Sequence, residues 1–271
     1  MTFVLAMALL LAEPEPATIL PPSQVSLAEA GRAIAAGRLD QATEMMRVAV
    51  AAGARGEPID RLLADLAFTR NENEQALALY LGLLANHTDE TLLLERAGIA
   101  ALRLGRLSQA TSLLDRATRS EPASWRSWNA RGVAADRQGR WDEADAAYAR
   151  AAQRGPDRAE IPNNQGWSLM LRGQWAEALV AFERASSIDP RLPRLSNNLE
   201  LARAAVAADL PRRISGESDD DFAARLNDAG VVSLADGQHK RAEAAFSQAI
   251  ALKSRWFARA ADNLAVVAPA K

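Results

Sequence analysis

Small and large apolar residues recur along this chain at a fixed interval of 34 residues, marked by Gly37, Asn71, Gly105, Gly139 and Gly173. Five residues beyond each stands an alanine: Ala42, Ala76, Ala110, Ala144 and Ala178. Nine beyond stands a large apolar residue: Met46, Tyr80, Leu114, Tyr148 and Phe182. Twelve beyond come Ala49, Leu83, Ala117, Ala151 and Ala185, and seven before come Ala30, Ala64, Gly98, Gly132 and Gly166. Pro122, Pro156 and Pro190 close three of the repeats, and a displaced sixth copy carries Gly230, Gly237, Ala242, Phe246 and Ala249.

This pattern predicts helical hairpins. A glycine just past a helix C-terminus supplies the positive φ wanted there, and Asn71 is the next-best residue for that place. Small residues on either side of the turn let two antiparallel helices approach closely, and the bulky residue nine beyond fills the gap between that hairpin and its neighbour. Proline stops the second helix and starts the next. Each hairpin leaves an apolar face that only a stacked neighbour can cover, so the hairpins must build a solenoid. With its period and its small–large–small order, the sequence resembles the tetratricopeptide repeat (TPR) family over about residues 27–267. Trp128 matches the aromatic residue early in that family's first helix, whereas Leu94 and Pro162 depart from its pattern. The resemblance implies an all-α, right-handed superhelical solenoid of about six antiparallel helix hairpins, with an unpaired helix and a terminal capping helix.

The repeat breaks once. Residues 193–208 keep the register of a first helix, since Asn197-Asn198 follows Asn163-Asn164 at the repeat interval, but no second helix follows. Residues 209–218, DLPRRISGES, have the composition of a loop, and Ser218-Asp219-Asp220-Asp221 reads as a cap opening a new helix. The predicted organisation is therefore a signal-like apolar segment and Pro-rich spacer (1–24), a solenoid of five hairpins and one extra helix (25–208), a linker (209–218), and a last hairpin with a capping helix from Trp256 (219–267).

Composition narrows the chemistry. The 271 residues include 32 basic and 34 acidic side chains, a formal charge of −2 that gives no global attraction to nucleic acid or anionic lipid. Cysteine is absent and only His87 and His239 are present, which excludes thiolate chemistry, disulfides and a multi-histidine metal site. Both histidines fall at structural positions of the repeat, the glycines are not clustered as in a phosphate-binding loop, and acidic pairs such as Asp142-Glu143 oppose helix N-termini. No enzyme activity, cofactor or metal is expected. Phe3–Ala12 is an unbroken apolar run, too short to span a bilayer as a helix and of the length of a secretory signal's apolar segment. Export, to the periplasm, is the expectation; a cytoplasmic protein with an N-terminal tail is the alternative. Membrane contact is expected only through this segment, if it is retained.

Function then falls to the first helices, which in the TPR family line a concave groove that holds extended or helical peptides. The turn offsets place Arg96, Arg103, Arg126, Asn129, Arg137, Asn163, Asn164, Trp167, Asn197 and Asn198 on that face. Asn129, Asn163 and Asn197 recur at the repeat interval, as a ladder would. Asparagine offers both donor and acceptor, and it is a poor helix former that needs a reason at repeated interior positions. The ladder meets a peptide backbone, joins helices to one another, or stands as solvated polar positions on the helices. The implied function is a non-enzymatic scaffold that binds a protein segment, not nucleic acid. Within the family the chain is similar to the tight-adherence (Flp) pilus-assembly component, which implies a role in assembling a bacterial envelope, pilus or secretion system. A general chaperone-adaptor and an accessory subunit of an enzyme complex are the alternatives.

Overall fold

In the computed structural model, which describes residues 22–119, 123–252, 254–255 and 257–267, every regular element is an α-helix. The apolar run Phe3–Ala12, most of the Pro-rich spacer, Pro122 and Trp256 lie outside the described residues. The helices come in the predicted order. Across the periodic turns α1 (Pro22–Ala35) is followed by α2 (Leu39–Ala51), α3 (Glu57–Thr69) by α4 (Asn73–Leu84), and α5 (Thr91–Arg103) by α6 (Leu107–Arg119). The series continues with α7 (Trp125–Asp136) and α8 (Trp141–Arg154), then α9 (Glu160–Leu171) and α10 (Trp175–Ile188). The unpaired α11 (Leu195–Ala207) precedes a last hairpin, α12 (Asp219–Ala235) and α13 (His239–Ala251), and the terminal α14 (Phe257–Val267). This is the fold of a TPR solenoid.

Each turn is closed in the same way. The residue after the turn glycine donates its amide to a carbonyl five residues back, as in Arg140 N to Ala135 O (3.0 Å) and Gln174 N to Leu169 O (2.9 Å). This is the Schellman arrangement, and it needs a left-handed residue before the donor. Asn71, at φ 60°, meets that need without glycine, and so does Asp209, at φ 47°, before Leu210 N donates to Ala205 O (3.3 Å).

The described chain forms two compact units, divided between Leu79 and Tyr80. In the first, Ala30, Ala33 and Ile34 of α1 bury against Ala42 and Met46 of α2 and Leu66 of α3. Arg70, just after α3, reaches back to Thr43 (3.0 Å) and Asp40 (3.5 Å).

In the second unit the small and large positions meet within a hairpin, not between neighbours as the sequence suggests. A methyl group added at Gly98 would lie 2.7 Å from Leu114, at Gly132 2.6 Å from the Tyr148 ring, at Gly166 2.6 Å from Phe182, and at Gly230 2.5 Å from Phe246. The large side chain of the second helix thus lies directly on the bare backbone of the first. Leu114, Tyr148, Phe182 and Phe246 are fully buried there, each a burial that stabilises the fold by about 1.5–3 kcal/mol.

Where the sixth second helix is missing, residues 209–218 form a strap held against the repeat before it. The Trp175 indole donates to Leu210 O at 3.1 Å, and Leu210 is buried. The strap backbone passes so close to Gly173 (φ +67°) that a Cβ there would lie 2.8 Å from Arg213 N. Arg225 of α12 donates to Arg212 O (2.7 Å) and to both oxygens of Glu217 (2.7 and 2.9 Å). Ser218 caps α12 as expected, accepting from Asp221 N at 3.1 Å. Phe222 of α12 then stacks on Trp175 with ring centroids 6.2 Å apart, and α13 packs on α11.

Substituting Gly132→Ala should lower unfolding stability by ~1–3 kcal/mol, because the Tyr148 ring has no room to retreat. Gly82→Ala in α4 has nothing within 4 Å of the new methyl and should instead stabilise by about 0.5–1 kcal/mol. Urea denaturation of the two variants checks the contrast; equal effects would show that the hairpin contact is not tight.

Candidate functional site

The first helices of the second unit meet along a polar spine. A helix turns about 100° per residue, so adjacent residues on one helix face different neighbours. Asn163 and Asn164 of α9 do this. Asn164 donates to Asn129 of α7 at 3.2 Å, and Asn163 accepts from Asn198 of α11 at 2.9 Å. A longer contact of 3.5 Å links Asn163 to Asn164. The amides therefore run continuously across α7, α9 and α11, joined between a residue and the one 35 positions on. The spacing of 34 that singles out Asn129, Asn163 and Asn197 marks equivalent positions, not bonded ones. Asn197 lies on the flank that would face a following first helix, but the chain turns into the strap and Asn197 is left exposed. The last hairpin repeats the device, with Asn263 of α14 donating to Asn227 of α12 at 2.8 Å.

Acid–hydroxyl pairs reinforce the spine. Ser127 of α7 donates to Glu95 of α5 (2.7 Å), and Ser168 of α9 donates to Asp136 of α7 (2.6 Å). The Tyr148 hydroxyl donates to the other Asp136 oxygen at 2.7 Å. Burial raises the Asp136 carboxyl above its ordinary value, more than these two donors lower it. The same burial, with Asp136 beside it, raises the Tyr148 phenol well above its ordinary value. Hydrogen bonds from Arg225 act oppositely on Glu217 and hold it low.

Beside the spine lies a groove of about 1740 Å³, walled by α5, α7, α9 and α11, by the start of α8, by the strap, and by the end of α13. Of the residues predicted for the inner face, Arg103, Arg137, Asn163, Asn164, Trp167 and Asn198 line it. Arg137 also donates to Leu102 O at 2.7 Å, and burial lowers the Arg103 guanidinium below its ordinary value. Arg96, Arg126, Asn129 and Asn197 lie outside the lining. Arg96 is half-buried on α5, and Arg126 is an exposed residue of α7 whose guanidinium lies over the Trp125 ring at 4.6 Å. Trp167 is half-buried and packs on the core that receives the last hairpin.

The groove's other wall comes from residues outside the periodic positions. Arg194 opens α11 in a left-handed conformation (φ 67°), and Arg212, Arg213 and Ile214 come from the strap. Arg213 and Arg172 lie over Trp141 at 5.9 and 5.8 Å, and Arg213 and Arg225 lie over Phe222 at 5.1 and 5.6 Å. Guanidinium and ring thus alternate along the wall, with Arg172 also held by both oxygens of Asp145 at 2.8 Å. The doubled arginine in an interrupted repeat was the available signal. The wall offers guanidinium and amide groups, suited to binding polar chain. His87 sits in the turn after α4 and His239 opens α13. Among the described residues no cluster of His, Cys, Asp and Glu has the placement to hold a metal ion, and no helix is long and apolar enough to cross a membrane.

Comparison with known proteins agrees with this architecture. The family model described as "Tetratricopeptide repeat" matches residues 95–159 and 134–193. No curated protein matches the sequence. Among solved structures, a thermophilic TPR protein of Thermus thermophilus aligns with a TM-score of 0.56 at 22% identity, covering 67% of this chain and 98% of that one. A tetratricopeptide repeat protein of Parabacteroides merdae aligns at 0.54 and 18%, covering 91% and 98%. PilW, a widely conserved type IV pilus biogenesis factor, aligns at 0.55 and 17%, covering 88% and 97%.

Removing the hub of the spine should cost more than removing its stranded member. Asn163→Ala should lower stability by about 0.5–1.5 kcal/mol, since it removes the acceptor of the half-buried Asn198 amide. Asn197→Ala should change it by less than ~0.5 kcal/mol. Chemical denaturation followed by circular dichroism measures both, and equal losses would contradict the diagonal pairing.

Proposed function

Because this chain is a tetratricopeptide-repeat protein, a fold built for protein–protein interaction, we propose that it is a non-enzymatic scaffold holding a segment of another protein in the groove of its second unit. The observation that carries the reading is the groove itself: about 1740 Å³ of space bordered by the Asn163–Asn164–Asn198 amides. Each amide uses only part of its hydrogen-bonding capacity within the spine, which leaves N–H and carbonyl groups for a backbone of any sequence. Such a surface selects extended chain by shape and main-chain bonding.

The cellular setting we propose is the assembly of a bacterial envelope, pilus or secretion system, with the chain exported to the periplasm. The apolar run Phe3–Ala12 and the proline-rich stretch after it favour export. The shared fold with PilW is consistent with a pilus-assembly role of the tight-adherence type.

Affinity capture from envelope extracts tests the groove. The parent should retain a partner that an Asn164→Ala, Asn198→Ala variant, shown by circular dichroism to be folded, retains at least tenfold less; equal retention would move the site off the groove. A fusion of residues 1–24 to a reporter active only outside the cytosol should be active, and a well-expressed but silent fusion would overturn export.

A further inference from the structure

We infer that the groove recognises an acidic protein segment, and that the strap replacing the missing second helix supplies the recognition. The inference rests on the groove being the binding face. Its charge is uneven. Among the described residues, Arg194 and Arg212 have no acidic partner, and Arg137 bonds only the Leu102 carbonyl. The groove's acids are largely committed elsewhere: Asp136 is buried under Ser168 and Tyr148, Glu217 is taken by Arg225 from outside the groove, and Asp219 by Arg213. Asp142 remains, at the N-terminus of α8, where the helix dipole answers it. The excess is therefore cationic although the whole chain is slightly acidic.

Two buried groups add a more specific demand. The Arg213 side chain is only 9% exposed, fixed between Trp141 and Phe222, and its Nε has no hydrogen-bond partner. The Gln174 Oε1, in the same groove lining, is buried and likewise has no partner. A desolvated guanidinium answered on one side alone favours an anion nearby, and an orphan amide oxygen favours a donor. An acidic peptide brings both, its carboxylates and its backbone N–H groups. A nucleic acid strand fits less well, because the flat ring faces it would stack on are taken: Trp141 by Arg172 and Arg213, and Trp167 by the core. Arg194 and Arg212 then act as the exposed selectors, and Arg213 as the positioning residue that holds the strap in place.

The test uses the full chain and two fluorescein-labelled peptides of about twelve residues, one alternating Glu and Ala and the other its Gln/Ala twin, read by fluorescence anisotropy. The Glu peptide should bind at least tenfold tighter than the twin in about 50 mM salt, with the gap closing in about 500 mM as screening rises. The double variant Arg194→Ala, Arg212→Ala removes two exposed side chains without acidic partners, so the fold stands, and it should bring the Glu peptide to the level of the twin. Equal binding of the two peptides, lost in the Asn164→Ala, Asn198→Ala variant, would overturn the acidic preference and leave the groove reading intact. Binding of neither peptide, or binding unaffected by both variants, would overturn both readings. A single-stranded oligonucleotide that displaces the Glu peptide and depends on the same arginines would assign the arginines to nucleic acid and overturn the inference.

Discussion

The contact between a large side chain and a bare backbone inside each hairpin of the second unit is what the rest of that unit depends on. With Gly132 beneath Tyr148, and Gly166 beneath Phe182, two helices approach until the ring covers the other's backbone. That closeness has a consequence at the next level. The hairpin becomes a thin slab whose first helix must find neighbours along its flanks, and in the second unit those flanks carry amides and acid–hydroxyl pairs. Polar contacts fix which residue of one helix meets which residue of the next, because a buried donor without its acceptor costs about 1–3 kcal/mol. Apolar packing supplies the cohesion, and the asparagines supply the register.

The interruption after α11 turns a repeat into a site. A regular second helix would have covered the flank of α10. The strap covers it with fewer residues and anchors itself through Trp175, Gly173 and Arg225. Its arginines end in the groove, one clamped between aromatic rings and one exposed. The last hairpin then closes on the same core, and this is why Trp167 works as packing as much as lining.

Much of this was legible in the sequence, for a physical reason. Periodic glycines, alanines and rings are direct imprints of turn geometry and helix approach, so the hairpins, the missing helix and the Ser218 cap could all be read. Partner assignment was less legible. The 34-residue spacing locates equivalent positions, but bonding depends on which flank of a helix faces which neighbour, and that shift by one residue makes Asn164 and Asn198 the donors while leaving Asn197 in solvent. Arg212 and Arg213 were hidden for another reason: a segment of loop composition carries no periodicity, so nothing in its residues says that it folds back onto Trp141 and Phe222.

The central claim is that the groove of the second unit, with the strap as one wall, is the face that holds a partner. Backbone hydrogen exchange of the full chain with and without a captured partner measures this directly. The account predicts slowed exchange in α7, α9, α11, the start of α8 and residues 210–218, with α10 and α14 unchanged. Protection confined to α10, or to α14, would contradict it.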